Sequence, residues 1–117
     1  MFGMPPGENN ALVWITPSPL LNSWVVFDTS WPMAAYAKDD RTGLVYLRGL
    51  IKSGTISTTL PIFILPFGYR PMYQHLFPTL SNAAIGRLDV NSLGLVIPSA
   101  GNNTYFSLNG VVFDTNN

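Results

Sequence analysis

The sequence predicts an all-β domain, built as an antiparallel, jelly-roll-like β-sandwich, and two observations carry this prediction. Ten prolines and ten glycines interrupt the chain so often that no apolar stripe of three helical turns survives. The apolar segments between them are short and are bounded by Asn, Asp, Gly and Pro, a pattern typical of strands joined by tight turns. We expect one domain over residues 11–117, preceded by a Pro/Gly-rich arm over residues 1–10.

Turn residues divide this domain into ten predicted strands. The turns are expected at 39–43, 91–94, 101–103 and Asn109-Gly110. Because Asn and Gly both tolerate positive φ, Asn109-Gly110 favours a type I′ hairpin between the last two strands, with a longer continuous strand as the alternative. The predicted strands are 11–15, 24–28, 34–38, 44–51, 61–65, 73–77, 84–90, 95–97, 104–108 and 111–115.

The predicted strand 44–51 is apolar on both faces. One face of an antiparallel sandwich normally meets water, so a second apolar face requires another covering surface. The segment "PIFIL" at 61–65 has the same character. A subunit interface explains both segments, and central strands covered within one chain are the alternative. The residues assigned to this interface are Leu44, Tyr46, Arg48, Leu50 and Phe63.

The composition argues against several classes of partner. Six cations balance six carboxylates and are spread along the chain, so the basic footprint of a nucleic-acid-binding protein is missing. No apolar stretch approaches the length needed to span a membrane. Charged residues make up 10% of the chain, a low fraction that suits a stable oligomer or an extracellular structural protein.

The residues offer no recognisable catalytic constellation. His75 is the single histidine and there is no cysteine, so metal sites with paired imidazoles or thiolates are excluded. The neighbouring carboxylates Asp39 and Asp40 lie in a predicted turn, and no nucleophile elbow, facing carboxylate pair or phosphate loop stands out. We therefore predict a protein that is not an enzyme and that needs neither metal nor cofactor.

The segment "LPFGYRP" at 65–71 predicts a stiff corner between two strands. Pro66 and Pro71 fix φ on either side, and Gly68 supplies backbone freedom for the turn. Tyr69 and Arg70 are then held at a defined place, where the guanidinium can stack, cap carbonyl groups or pair with a carboxylate. We interpret the corner as architectural.

Several motifs in residues 22–115 resemble the C-terminal head domains of bacteriophage tail-fibre, baseplate and minor structural proteins. The order of these motifs is "NSW", "AAYAKDDRTGLVYLRGLIKSGT", "ILPFGYRP", "GRLDVNSLGLV" and "SLNGVVF". The most specific are "GLVYLRGLIKSGT" at 43–55 and "LPFGYRP" at 65–71. Residues 1–21 match nothing in this family, and "PIFI" replaces a more polar run.

The resemblance implies a homotrimeric β-sandwich head on the virion exterior that acts at the host cell surface, where such heads often bind polysaccharide. A capsid decoration or fibre-trimerising protein that binds other virion proteins is the alternative. For glycan recognition, aromatic rings and a polar turn are the natural candidates, since rings pack on the apolar faces of sugars. The candidate glycan-binding residues are Trp24, Trp31, Tyr36, Asp39, Asp40 and Arg41.

Overall fold

A computed structural model describes residues 12–116, and every regular element in that range is a β-strand. The arm predicted over residues 1–10 lies outside the described residues. All strand pairs are antiparallel. The strands are β1 (Val25–Val26), β2 (Ala35–Asp39), β3 (Leu44–Arg48), β4 (Leu50–Lys52), β5 (Phe63–Ile64), β6 (His75–Ser81), β7 (Ala84–Val90), β8 (Leu95–Ala100), β9 (Phe106–Ser107) and β10 (Val112–Asp114).

The strands form two sheets that enclose one core. The large sheet has seven strands in the order β1-β4-β9-β6-β7-β8-β5, and the small sheet has three in the order β10-β3-β2. The inner faces meet in an apolar interior, and the sheets curl around it, so the predicted all-β, sandwich-like fold is confirmed. The largest fully buried side chains include Trp24, Val45, Ile51, Ile62, Phe63, Leu65, Leu88, Val90, Val96, Phe106 and Leu108.

The predicted single strand 44–51 is broken at Gly49, and this prediction is wrong. β3 lies in the small sheet and β4 in the large one, so the chain changes sheets between Arg48 and Leu50. Gly49 has a φ of 128°, a conformation open essentially to glycine alone. An added Cβ would lie 2.5 Å from the Ala34 Cα. The close approach of these two backbones therefore sets the corner between the sheets.

Local turns were predicted better than the long-range connections. The turns at 39–43 and 91–94 do join paired strands, β2 to β3 and β7 to β8. Asn109-Gly110 does not form the predicted hairpin, because β9 pairs with β4 and β6 whereas β10 pairs with β3. The turn instead carries the chain from the large sheet to the small one. Of the predicted strand 11–15, the described part makes only an isolated bridge, Ile15 to Tyr36.

The β6–β7 hairpin turns on a residue pair without glycine. Asn82 and Ala83 have φ values of 47° and 63°, the combination that a type I′ turn requires. The Ala83 N–H donates to the Tyr105 Oη at 2.7 Å. Alanine carries a steric penalty in this left-handed region, so the fold maintains a strained residue at this turn.

Relieving that strain predicts a gain in stability. Ala83→Gly should raise the free energy of unfolding by about 0.5–1 kcal/mol, because the relief of left-handed strain exceeds the extra entropy of an unfolded glycine. Urea denaturation at constant slope measures the change. Ala84→Gly is the matched control, because Ala84 lies in β7 and does not have a positive φ. This variant should have a free energy of unfolding about 0.5–1 kcal/mol lower than wild type. Equal effects at both positions would contradict the turn assignment.

Residues 15–22 link the small sheet to both ends of the large one. The N–H and C=O of Ile15 pair with Tyr36 of β2 at 2.8 and 2.9 Å. Further along, the Leu21 N–H donates to the Ile62 carbonyl at 2.8 Å, beside the edge strand β5. The Asn22 carbonyl accepts from the Thr55 N–H at 3.2 Å, beyond the end of β4. This segment therefore lies between the two edges of the curled large sheet.

Candidate functional site

A cleft on the outer face of the large sheet is the best candidate for a binding site. Leu50 of β4, Ser107 of β9 and Leu80 of β6 lie side by side there, since Leu50 pairs with Ser107 and Ser81 with Phe106. Loop residues complete the wall, and the volume is about 370 Å³. We call this site the aromatic cleft; its residues are Phe27, Trp31, Leu50, Leu80, Tyr105, Ser107 and Asn109.

Three rings are arranged edge to face around the cleft. Phe27 lies in the middle, with its centroid 6.2 Å from that of Trp31 at 89° and 6.1 Å from that of Tyr105 at 83°. This geometry is favourable for aromatic pairs, so each ring orients the next. Trp31 remains 51% exposed, which leaves much of its indole available to a ligand.

The turn before Trp31 is fixed by Asp28. Its carboxylate Oδ1 accepts from both the Ser30 N–H and the Ser30 hydroxyl at 2.7 Å. The Asp28 carbonyl accepts from the Trp31 N–H at 3.1 Å. The Ser30 backbone bond, followed by the hydroxyl bond, lowers the pKa of Asp28, because both favour the charged carboxylate. Trp31 is thus held in place by its own loop.

Polar groups at the rim have defined hydrogen-bonding roles. The Asn109 Oδ1 accepts from the Gly49 N–H at 2.9 Å, which leaves the amide N–H groups to donate. The Tyr105 Oη accepts from Ala83, which leaves the phenolic O–H to donate. No charged residue lines the cleft among the described residues. It therefore combines apolar rings with neutral donors.

The predicted aromatic platform is wrong for two of its three rings. Trp24 is 2% exposed and packs edge-on against Phe106 at 5.8 Å. Tyr36 is 7% exposed and lies between Phe63 at 5.9 Å and Tyr69 at 5.1 Å. Burial, and then the neighbouring Tyr69, raises the pKa of Tyr36. Trp24, just before β1, and Tyr36, in β2, are both buried in the core, so they stabilise the core instead of presenting a surface.

The predicted polar turn is exposed but lies away from Trp31. Asp39 Oδ1 accepts from the Arg41 N–H at 3.0 Å. This bond is the main cause of the lowered pKa of Asp39. Asp39 is half-buried, whereas Asp40 and Arg41 are exposed. Trp31 lies in the loop before β2 and the turn follows β2, so the two are at opposite ends of this five-residue strand. The structure does not assemble one site from these residues.

Two of the predicted interface residues are covered within the chain. Leu50 is 8% exposed and Phe63 is 2% exposed, so the prediction that they form a subunit interface is wrong: intrachain packing already buries them. Leu44 and Tyr46 are half-buried and Arg48 is exposed on the outer face of the small sheet. The assignment of these three residues to a subunit interface remains a prediction.

Arg70 stacks and caps a carbonyl at the corner 65–71. Its Nε donates to the Leu65 carbonyl at 2.7 Å, and its guanidinium lies 4.2 Å from the Phe67 ring centroid. The Lys38 Nζ donates to the Gly68 carbonyl at 2.7 Å, which joins β2 to the corner. The corner therefore connects the small sheet to the edge of the large one.

The remaining corner residues form a compact turn. The Tyr69 N–H donates to the Pro66 carbonyl at 3.1 Å. Gly68 has a φ of 89° and Pro71 is buried. The Tyr69 ring meets Tyr36 at 77°. These contacts give the corner a packing role and place none of its residues in the aromatic cleft.

Of the predicted glycan-binding residues, Trp31 alone lies in the aromatic cleft. The sequence did not place Phe27, Leu80, Tyr105 or Asn109 in a site. Leu76, Pro78 and Leu80 alternate along β6 and are all exposed, although an apolar row at alternate positions normally indicates the buried face of a strand. The pairing of β4, β9 and β6 joins residues far apart in the sequence, and no local pattern specifies it.

Other site types find little support in the structure. Within residues 12–116, no three His, Asp or Glu side chains are grouped closely enough to hold a metal ion. The same range contains no helix with the length and apolar character needed to cross a membrane.

No protein-family model matches the chain, and neither curated proteins nor solved structures show significant similarity to it.

Proposed function

We propose that the chain is the receptor-binding head of a bacteriophage tail fibre or baseplate, a homotrimer on the virion exterior that recognises host cell-surface polysaccharide. The observation that supports this function is the aromatic cleft, in which a half-exposed Trp31 is held by Phe27 and by the Asp28 turn. The motif resemblance at 43–55 and 65–71 supplies the biological setting.

The chemistry of the aromatic cleft suits a neutral sugar. The indole of Trp31 offers a flat apolar surface for the C–H face of a pyranose ring. The Asn109 amide and the Tyr105 hydroxyl offer hydrogen bonds to sugar hydroxyls, which accept as well as donate. None of the described lining residues is charged, and the neighbouring cation Lys52 has its Nζ 5.4 Å from the Phe27 ring centroid, so the lining itself offers a sugar only neutral groups. The volume of about 370 Å³ is in the range of small-ligand sites.

An apolar strip beside the cleft favours the second candidate, a capsid decoration or fibre-trimerising protein. Leu76, Leu80 and Ile85 are 57%, 54% and 83% exposed, and Leu80 and Ile85 are cross-strand partners on the outer face. Clustered exposed apolar side chains mark protein contacts. In this alternative, the strip and the cleft together bind another virion protein.

Replacing Trp31 by alanine tests the proposed function. Wild-type protein is first screened against bacterial surface polysaccharides, and the dissociation constant of a bound polysaccharide is measured by calorimetry. Trp31→Ala should weaken binding at least tenfold, because a central aromatic anchor contributes on the order of 1.4 kcal/mol or more. Tyr73→Ala is the matched control, since Tyr73 is 69% exposed and lies outside the cleft.

Two results would contradict glycan recognition at this site. One is an unchanged dissociation constant for Trp31→Ala. The other is a wild-type protein that binds no polysaccharide but loses its binding to virion particles when Ile85 is changed to Glu. The second result would establish the structural alternative.

A further inference from the structure

The loops at one end of the large sheet carry exposed apolar side chains. Strands β5 and β7 end there, and strands β6 and β8 begin there. Because these four strands are neighbours in the sheet, the two loops that join them, 65–74 and 91–94, lie side by side. We call this end of the sheet the apolar tip; its large exposed side chains are Phe67, Met72, Tyr73 and Leu93.

Close contacts hold the two loops of the apolar tip together. The Leu65 N–H donates to the Gly94 carbonyl at 2.8 Å, and the Leu65 carbonyl accepts from the Arg70 Nε at 2.7 Å. An added Cβ on Gly94 would lie 2.7 Å from the same Nε, so the loops approach each other closely. Pro66 and Pro71 fix φ at two positions of the longer loop. The exposed side chains are therefore presented from a stiff base, which lowers the entropy cost of binding.

The two ends of the large sheet differ in the character of their loops. The four large side chains of the apolar tip are 59–86% exposed, so each protrudes separately into solvent. The loops 82–83 and 101–104, at the opposite end of the same sheet, contain only Asn, Ala, Gly and Thr. Small and polar residues of this kind are the usual constituents of turns. A group of exposed apolar side chains on loops instead marks a contact surface.

Cations lie directly behind the apolar tip. The Arg70 guanidinium lies 4.2 Å from the Phe67 ring centroid, and the Lys38 Nζ donates to the Gly68 carbonyl at 2.7 Å. Neither of the loops 65–74 and 91–94 contains a carboxylate. The apolar tip therefore combines protruding apolar side chains with positive charge at their base.

Two carboxylates on the adjoining strands have cationic partners of their own. Asp39, at the end of β2, lies 3.4 Å from the Arg41 guanidinium. Asp89, near the end of β7, is 4% exposed and lies 2.9 Å from Arg87. Asp40, in the turn after β2, is exposed. The two paired carboxylates leave the positive charge of the loops themselves available to an anionic partner.

We propose that the apolar tip binds the surface of an anionic lipid bilayer. Large apolar side chains gain free energy on leaving water for the acyl-chain boundary, and tyrosine favours the interface between lipid and water. Lys38 and Arg70, one layer behind, match the level of the lipid phosphates, which attract basic side chains. A fluid bilayer surrounds each protruding side chain, whereas a protein partner needs a shaped pocket for each one. Such a contact lies on the bilayer and needs no spanning segment.

Vesicle flotation tests this inference. Wild-type protein should bind vesicles of phosphatidylcholine mixed with phosphatidylglycerol, and should bind pure phosphatidylcholine more weakly because the cations then lack a partner. Phe67→Ser and Leu93→Ser should each weaken binding at least about fivefold, since each removes a large apolar side chain from the contact. Ile85→Ser is the matched control, because Ile85 is 83% exposed but lies in β7 near its start, at the other end of the sheet. A wild type that binds neither vesicle, or equal binding by all three variants, would overturn the inference.

Fluorescence quenching by brominated acyl chains separates insertion from loose adsorption. Phe67→Trp places an indole at the apolar tip, and its emission above the wild-type background should be quenched by brominated vesicles. Ile85→Trp should show no such quenching, and equal quenching at both positions would overturn the assignment of the tip.

The inference goes beyond glycan recognition, and the two fail separately. The apolar tip shares no residue with the aromatic cleft, so Phe67→Ser should leave the affinity for polysaccharide unchanged. The vesicles carry no polysaccharide, so a protein that binds vesicles but no glycan would defeat the proposed function and support this inference. A wild type that ignores vesicles but binds another virion protein through Phe67 would overturn the lipid contact in favour of a protein partner.

Discussion

Replacing Gly49 by alanine is expected to unfold most of the protein at moderate urea concentrations. The new Cβ would lie 2.5 Å from the Ala34 Cα, 2.7 Å from the Ala34 N and 2.8 Å from the Met33 carbonyl oxygen. All three are backbone atoms, which cannot move without displacing β2. Backbone strain at a φ of 128° adds about 1–3 kcal/mol to an overpacking cost of similar size. We expect a total loss of about 3–5 kcal/mol, measured by urea denaturation.

Gly110→Ala separates strain from steric conflict. Gly110 also has positive φ, at 83°, but a Cβ there would meet nothing within 4 Å. Gly110→Ala should therefore lower the free energy of unfolding only by the cost of the left-handed conformation, about 1–2 kcal/mol. If Gly49→Ala lowered the free energy of unfolding no more than Gly110→Ala, the close contact between Gly49 and Ala34 would not contribute to stability.

Gly54→Ala is the second change with a large expected effect. A Cβ on Gly54 would lie 2.0–2.2 Å from three ring atoms of Trp24. Trp24 cannot retreat, because it is 2% exposed and packs on Phe106. We expect a loss of about 3 kcal/mol, at the upper end of overpacking costs. Urea denaturation measures the loss, and near-ultraviolet circular dichroism reports the displaced indole.

A double-mutant cycle assigns this effect to the indole. Trp24→Leu removes the ring that meets the new Cβ, although it is itself destabilising by several kcal/mol. In that background Gly54→Ala should cost less than about 1 kcal/mol, and the difference between the two costs is the interaction energy. An equal cost in both backgrounds would place the conflict elsewhere.

The features that could be predicted from the sequence are those determined by residues close together in the chain. The hairpin turns at 39–43 and 91–94 carry their own Asp, Asn and Gly signals, and their geometry depends on residues close in the chain. The break at Gly49 was missed because its cause is Ala34, fifteen residues away, and "GLVYLRGLI" alternates well enough to pass for one strand. The turn at Asn82-Ala83 was missed because tertiary contacts, including Tyr105, hold an alanine where glycine would be expected.

The candidate site was harder to predict for the same reason. Aromatic residues mark both cores and binding surfaces, so composition alone could not separate the buried Trp24 and Tyr36 from the exposed Trp31. The aromatic cleft depends on β4, β9 and β6 lying side by side, and these strands come from three separate regions of the sequence. Only the pairing of distant strands showed which rings meet.

The position of β10 also determines when the protein can fold during synthesis. β10 pairs with β3, and the Val111 carbonyl accepts from the Leu47 N–H at 2.9 Å. A nascent chain halted before residue 111 therefore has β2 and β3 but lacks the strand that covers the other side of β3. Val111 and Phe113, both buried in the core, are also missing at that stage. Folding is therefore expected to wait for these core residues, and until they are available most of the apolar interior stays exposed to chaperones.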